Sequence, residues 1–85
     1  STVLKVSVIS PAKMLYEGDA SSVVAPAFDG ELGILSGHAP MITALGTGTL
    51  RVDGGAGSQR FSVAGGFLQV VDDQVRVVTE QATSI

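Results

Sequence analysis

The feature that most narrows the possible folds is alternation. Over short runs apolar residues return at every second position, and turn-forming residues interrupt those runs roughly every 8–12 residues. Leu4, Val6 and Val8 point one way on an extended backbone while Lys5 and Ser7 point the other. Leu50 and Val52 flank Arg51, Phe61 and Val63 alternate with Arg60 and Ser62, and Val75 and Val77 flank Arg76. Helical periodicity is nearly absent. Strands patterned this way bury one face each, and two antiparallel sheets packed face to face let all of them do so. The expected fold is all-β, with about nine to ten short strands. Its expected core is Leu4, Val6, Val8, Leu32, Ile34, Leu50, Val52, Phe61, Val63, Val75 and Val77.

Breaks fall between these runs. Ser10-Pro11-Ala12-Lys13 turns the chain, residues 14–16 run back, and Gly18-Asp19 ends that run. Residues 21–25 read as a strand stopped by Pro26, which has no N–H to give a ladder. Gly46-Thr47-Gly48 reads as a turn, and Asp53-Gly54-Gly55-Ala56-Gly57-Ser58 as a hairpin tip between residues 49–52 and 59–64. Gly65-Gly66 allows a tight bend or bulge before residues 67–71, and Asp72-Asp73 turns into residues 74–79. Residues 80–85 carry no anchoring pattern.

The chain has 85 residues, so a single domain over 1–85 is expected, and with no cysteine it has no disulfide or thiolate metal site. A domain of this size buries roughly 60–65% of the surface its unfolded chain exposes. The 45% hydrophobic content supplies the material. A net charge of −3 argues against nucleic acid or an anionic membrane as a direct partner. No apolar run approaches the ~20 residues that span a bilayer and no signal peptide precedes Ser1, so a soluble domain without membrane insertion is expected.

Catalytic chemistry finds no coherent frame. Gly46-Thr47-Gly48 and the glycines of 54–57 lack the Gly-Lys-Ser/Thr ending and following helix of a phosphate loop, so no nucleotide is expected. Ser36, His38 and Asp29 hold the atoms of a hydrolytic triad, but no Gly-x-Ser-x-Gly elbow presents the serine. Asp29, Glu31 and His38 would give a zinc ion three ligands at most, with no further strong ligand in view. No enzyme, cofactor or metal is therefore expected. Lys13 is weakly similar to the modified lysine of small all-β biotinyl and lipoyl carriers, which leaves a carrier domain as the alternative; there, however, the sequence has only Met14 of the expected neighbours.

One stretch stands apart: Gly30-Glu31-Leu32-Gly33-Ile34-Leu35-Ser36-Gly37-His38-Ala39-Pro40-Met41-Ile42-Thr43-Ala44-Leu45. Leu32 and Ile34 share one face of an extended backbone, with Glu31 and Gly33 on the other. Gly33 marks a bulge or lets a neighbouring chain come close. Gly37-His38-Ala39-Pro40 must be a loop, since Pro40 keeps Ala39 out of helix. Ile42, Ala44 and Leu45 are expected to return the chain to the core. His38 either satisfies the loop's own backbone or meets a partner protein.

The stretch closely resembles the Gly-Glu-Leu-Gly-Ile-x-x-Gly-His-Ala-Pro signature of the epsilon subunit of F-type ATP synthases, the delta subunit of mitochondria. Val8-Ile9-Ser10-Pro11, Tyr16-Glu17-Gly18, Gly48-Thr49-Leu50, Val63-Ala64-Gly65-Gly66-Phe67 and Val75-Arg76-Val77-Val78-Thr79-Glu80-Gln81-Ala82 follow the same order and about the same spacing. The resemblance implies a flattened β-sandwich and a non-catalytic rotor subunit linking the gamma subunit to the membrane c-ring. It implies a place at the cytoplasmic face of a bacterial inner membrane, or the equivalent organelle face. By motif position it implies a protein interface at Ser10, Glu31, Gly33, His38, Ala39, Pro40 and Met41, with Glu31 toward the c-ring and Ser10, His38 and Ala39 toward gamma. Longer relatives continue into a helical hairpin linked to inhibition of hydrolysis. Residues 81–85 are expected to be a flexible tail at the point where that hairpin would begin.

Overall fold

A computed structural model describes residues 3–54 and 57–85. They form ten strands: β1 Leu4–Ile9, β2 Met14–Ala20, β3 Ser22–Ala27, β4 Gly30–Leu35, β5 Met41–Ala44, β6 Thr47–Gly54, β7 Gly57–Ala64, β8 Phe67–Val71, β9 Gln74–Val78 and β10 Gln81–Ser84. The strands make two five-stranded sheets, β2-β1-β9-β8-β5 and β10-β7-β6-β3-β4, here sheets A and B. The molecule is a flattened sandwich of 30 × 26 × 19 Å.

The alternation does what it promised. Leu4, Val6, Val8, Ile34, Leu50, Val52, Phe61, Val63, Val75 and Val77 are buried between the sheets, and Leu32 is partly buried against them. Val23, Ala25, Leu68 and Val70 complete the layer. The rings of Tyr16 and Phe61 meet edge to face, 6.5 Å apart. The buried polar residue Thr79 donates its hydroxyl to the carbonyl of Gln81 at 2.8 Å, so no donor is stranded there.

Several expectations are corrected. One ladder is parallel: β1 runs alongside β9, with Val6 opposite Val75 and Val8 opposite Val77. Gly18-Asp19 does not end β2. The Tyr16 ring folds over Gly18, where an added Cβ would lie 3.4 Å from the phenol oxygen, and the Tyr16 hydroxyl donates to the Asp19 carbonyl at 3.1 Å. Glycine there makes room for a ring.

Pro26 likewise sits inside β3, opposite Glu31. The pairing of β3 with β6 stops at Val24 opposite Arg51, so Pro26 stands where no ladder requires its missing N–H. Its ring occupies the space that Gly48 leaves, and β6 accordingly starts at Thr47 instead of after a turn. Ile42 and Ala44 point outward, Ile42 being 65% exposed; in β5 it is Met41 that packs on the core, with Leu45 buried just beyond.

The final residues also differ from expectation. Gln81–Ser84 forms β10, an edge strand antiparallel to β7 with Ala82 opposite Val63 and against the core. The strands flanking the β6–β7 tip pair as far as Gly54 opposite Gly57, and Gly55 and Ala56 lie outside the described residues.

The strand connections gather at two ends. At one, Thr79 N–H donates to Ile9 O, Leu45 N–H to Gly66 O, Gly46 N–H to Pro26 O and Gly65 N–H to Gly46 O. At the other, Lys5 N–H donates to Asp73 O and Ser21 N–H to Asp53 O. At both rims these bonds tie neighbouring strands and their connections to one another.

Candidate functional site

The conspicuous sequence stretch takes up an edge of each sheet and the crossing between them. β4 is one edge strand of sheet B and β5 one of sheet A. Glu31, Gly33 and Leu35 lie on the solvent face of β4 while Ile34 is fully buried. Nothing lies within 4 Å of a Cβ built on Gly33, which pairs with Val24 in unbroken register. There is no bulge at Gly33.

The crossing, Ser36-Gly37-His38-Ala39-Pro40, is held by a turn distant in sequence and adjacent in space. The carboxylate of Asp73 accepts the Gly37 N–H at 2.7 Å and the Ser36 hydroxyl at 3.0 Å. Those bonds, Gly37 first and Ser36 second, keep the Asp73 carboxyl below its ordinary 3.8. Asp72 and Asp73 both adopt left-handed backbone, φ 51° and 61°, which turns β8 into β9 and presents the carboxylate to the crossing. The His38 N–H donates back to Leu35 O at 3.1 Å. Its Nδ1 lies 2.8 Å from the Ala39 carbonyl; a carbonyl only accepts, so Nδ1 carries the proton and Nε2 is left for other partners. Gly37, His38, Pro40, Asp72 and Asp73 line an open cleft of about 370 Å³.

The chemistry sought in the sequence does not assemble. Asp29 lies in the β3–β4 turn, at the end of the sandwich away from His38 and Ser36, so neither the triad nor the three-ligand set comes together. Among the described residues no group of three or more His, Asp or Glu side chains gathers. Lys13 is exposed but closes the β1–β2 turn instead of topping it: Ser10 N–H donates to Lys13 O at 2.9 Å, and the Ser10 hydroxyl bonds the same carbonyl at 3.2 Å.

The seven expected interface residues fall in three places. Ser10 follows the Ile9 end of β1. Glu31 lies at the same end of the sandwich, on β4, and Gly33 at mid-strand. His38, Ala39 and Pro40 stand at the opposite end, by Asp73 and Lys5, leading into Met41. Ser10 and His38 are not neighbours, yet both border sheet A.

The outer face of sheet A holds what the sequence reading missed. Register sets Met14 beside Ile9, Ile9 beside Val78, Val78 beside Phe67 and Phe67 beside Ala44. This is one apolar row across all five strands, with Met14 50% exposed. Two rows on, the same face is charged, with Lys5 paired to Asp19 at 2.9 Å. The row is invisible in sequence because each strand contributes one residue, and the parallel β1–β9 ladder that aligns them has no local signal.

Comparison with known proteins settles the family. The beta-sandwich domain of the ATP synthase Delta/Epsilon chain matches residues 3–85. The chain belongs to that family. It is 46% identical over 77 residues to the ATP synthase epsilon chain of Leptospira borgpetersenii, covering 91% of this chain and 61% of the relative. It is 40% identical over 79 residues to the epsilon chain of Gloeothece citriformis, covering 93% and 57%. The chain thus spans about three fifths of the curated relatives it matches. In fold it is similar to a chain of the Euglena gracilis mitochondrial ATP synthase, solved with OSCP, F1 and c-ring, with TM-score 0.91 and 22% identity over 99% of this chain and 54% of that one. A chain of the Tetrahymena thermophila mitochondrial ATP synthase central stalk and c-ring gives TM-score 0.79 and 19% identity, covering 94% and 65%. The epsilon-type sandwich read from the signature stretch is the sandwich that the fold and the family display. Among the described residues no helix is long and apolar enough to cross a membrane.

Proposed function

We propose that this domain is a non-catalytic rotor part of an F-type ATP synthase, joining the gamma subunit to the c-ring so that ion passage and ATP synthesis stay coupled. The observation that carries the reading is the apolar row Met14, Ile9, Val78, Phe67 and Ala44 on the outer face of sheet A. A sheet face of this kind is stable in water only at a cost, and a partner that covers it recovers about 25 cal/mol per Å² of apolar surface. Gamma would lie over this face, bordered by Ser10 at one end and by His38, Ala39, Pro40 and Met41 at the other. Glu31 and Gly33, on the outer side of edge strand β4, would meet the polar loops of the c-ring. There a rim charge orients docking more than it tightens it. The domain binds no nucleotide in this role and stays peripheral to the membrane, on the side where the catalytic head stands.

Sedimentation of this chain with recombinant gamma tests the reading. Phe67→Glu places a charge in the row without touching the core; it should abolish the complex while leaving the β-sheet circular dichroism unchanged. Glu31→Ala should leave gamma binding intact and weaken docking to the ring. Undiminished gamma binding by Phe67→Glu would count against the reading.

A further inference from the structure

Phe28 is the most exposed large apolar side chain among the described residues, at 74%, and nothing in the local structure asks for it. It stands with Asp29 at the tip of the β3–β4 hairpin, between the paired residues Ala27 and Gly30. Neither Phe28 nor Asp29 has positive φ; the unusual angle falls on Gly30, at 137°. The turn therefore accounts for the glycine, and a small polar residue would serve at position 28 as well as a phenyl ring does.

The tip is also braced. Ala27 bridges to Leu45, and Gly46 N–H donates to Pro26 O at 2.7 Å. A Cβ at Gly46 would come within 3.0 Å of Ala27 O and 3.5 Å of the Phe28 Cα, so the backbone of the next connection packs directly under the turn. An aromatic ring on a fixed turn loses little conformational freedom on burial, which is the property of an interface anchor.

Charge indicates what would receive it. Asp29 and Glu31 are exposed on either side of Gly30, and among the described residues neither belongs to an ion pair. We infer that Phe28 is an anchor that inserts into an apolar notch between polar loops of the c-ring, with Asp29 and Glu31 facing basic groups at the rim. The inference rests on the reading that this domain meets the ring, and it adds an apolar contact to the charged one.

Photo-crosslinking in the assembled synthase tests it. Phe28 is replaced by p-benzoylphenylalanine, with Leu35, 64% exposed at the other end of β4, replaced in the same way as a control. Illumination should give an adduct of this chain with the c subunit from position 28 and none from position 35. Phe28→Ala should weaken binding to the isolated ring roughly tenfold, and Phe28→Tyr should restore most of it. An adduct to gamma alone, no adduct from position 28, or an unchanged affinity in Phe28→Ala would overturn the anchor while leaving the rotor reading standing. A chain that does not enter the complex at all would overturn both.

Discussion

Asp73 combines a left-handed backbone with a carboxylate that holds Ser36 and Gly37 of a connection distant in sequence. Its pKa is depressed in the folded state, so its contribution to stability is present above the unfolded value of 3.8 and is lost as pH falls through that value toward the lower folded one. Asn tolerates the same backbone and removes the titration. Asp73→Asn should therefore lower the urea midpoint at neutral pH and show a shallower fall between pH 5 and 3 than the parent (window of about two units around the carboxylate range). Asp53, held low first by the Ser58 hydroxyl and also by Arg51, keeps some acid sensitivity in both proteins. In the core, Phe61 is 2% exposed and meets the Tyr16 ring edge to face. Phe61→Ala should cost about 3–5 kcal/mol in equilibrium unfolding, much of the stability of so small a domain.

At the scale of elements, β7 and β8 join through Gly65-Gly66, with φ of 74° and 106°. A Cβ on Gly66 would run into the Val78 carbonyl and lie 2.6 Å from the Thr79 Cα, because the bend tucks under the exit of β9. Gly66→Ala should lose at least about 1–3 kcal/mol from backbone strain alone and lower the melting temperature more than Gly33→Ala, whose site is open. Most of these elements are legible in sequence, since an inward-facing residue at every second position is a local signal. The failures are at residues whose meaning is set by a neighbour. Gly18 reads as a break until Tyr16 is seen to lie over it, and Pro26 as a stop until the β3–β6 ladder is seen to end first. The partner of the signature crossing was equally hidden: Asp73 is 36 residues from Gly37, and its sequence context announces only a turn.

For the whole molecule, the sandwich is a short block whose neighbouring strands are tied at both rims by backbone hydrogen bonds and whose surfaces are unlike one another. An apolar row crosses sheet A, while the outer side of sheet B carries Arg51, Ser62 and Thr49. Such a block fits the proposed rotor role, since sliding one sheet on the other would disturb the shared core. The proposed interface residues rest on the family resemblance alone; their grouping could not be read from it, because Ser10 and His38 border one sheet from opposite ends. The most direct measurement is ATP-driven proton pumping by membrane vesicles whose synthase has been stripped of its epsilon subunit, with this chain added back. Recovery of pumping at an unchanged rate of hydrolysis, absent when Phe67→Glu is added instead, is the expected result. Pumping that stays at the stripped level with the chain bound would contradict a coupling role for this domain.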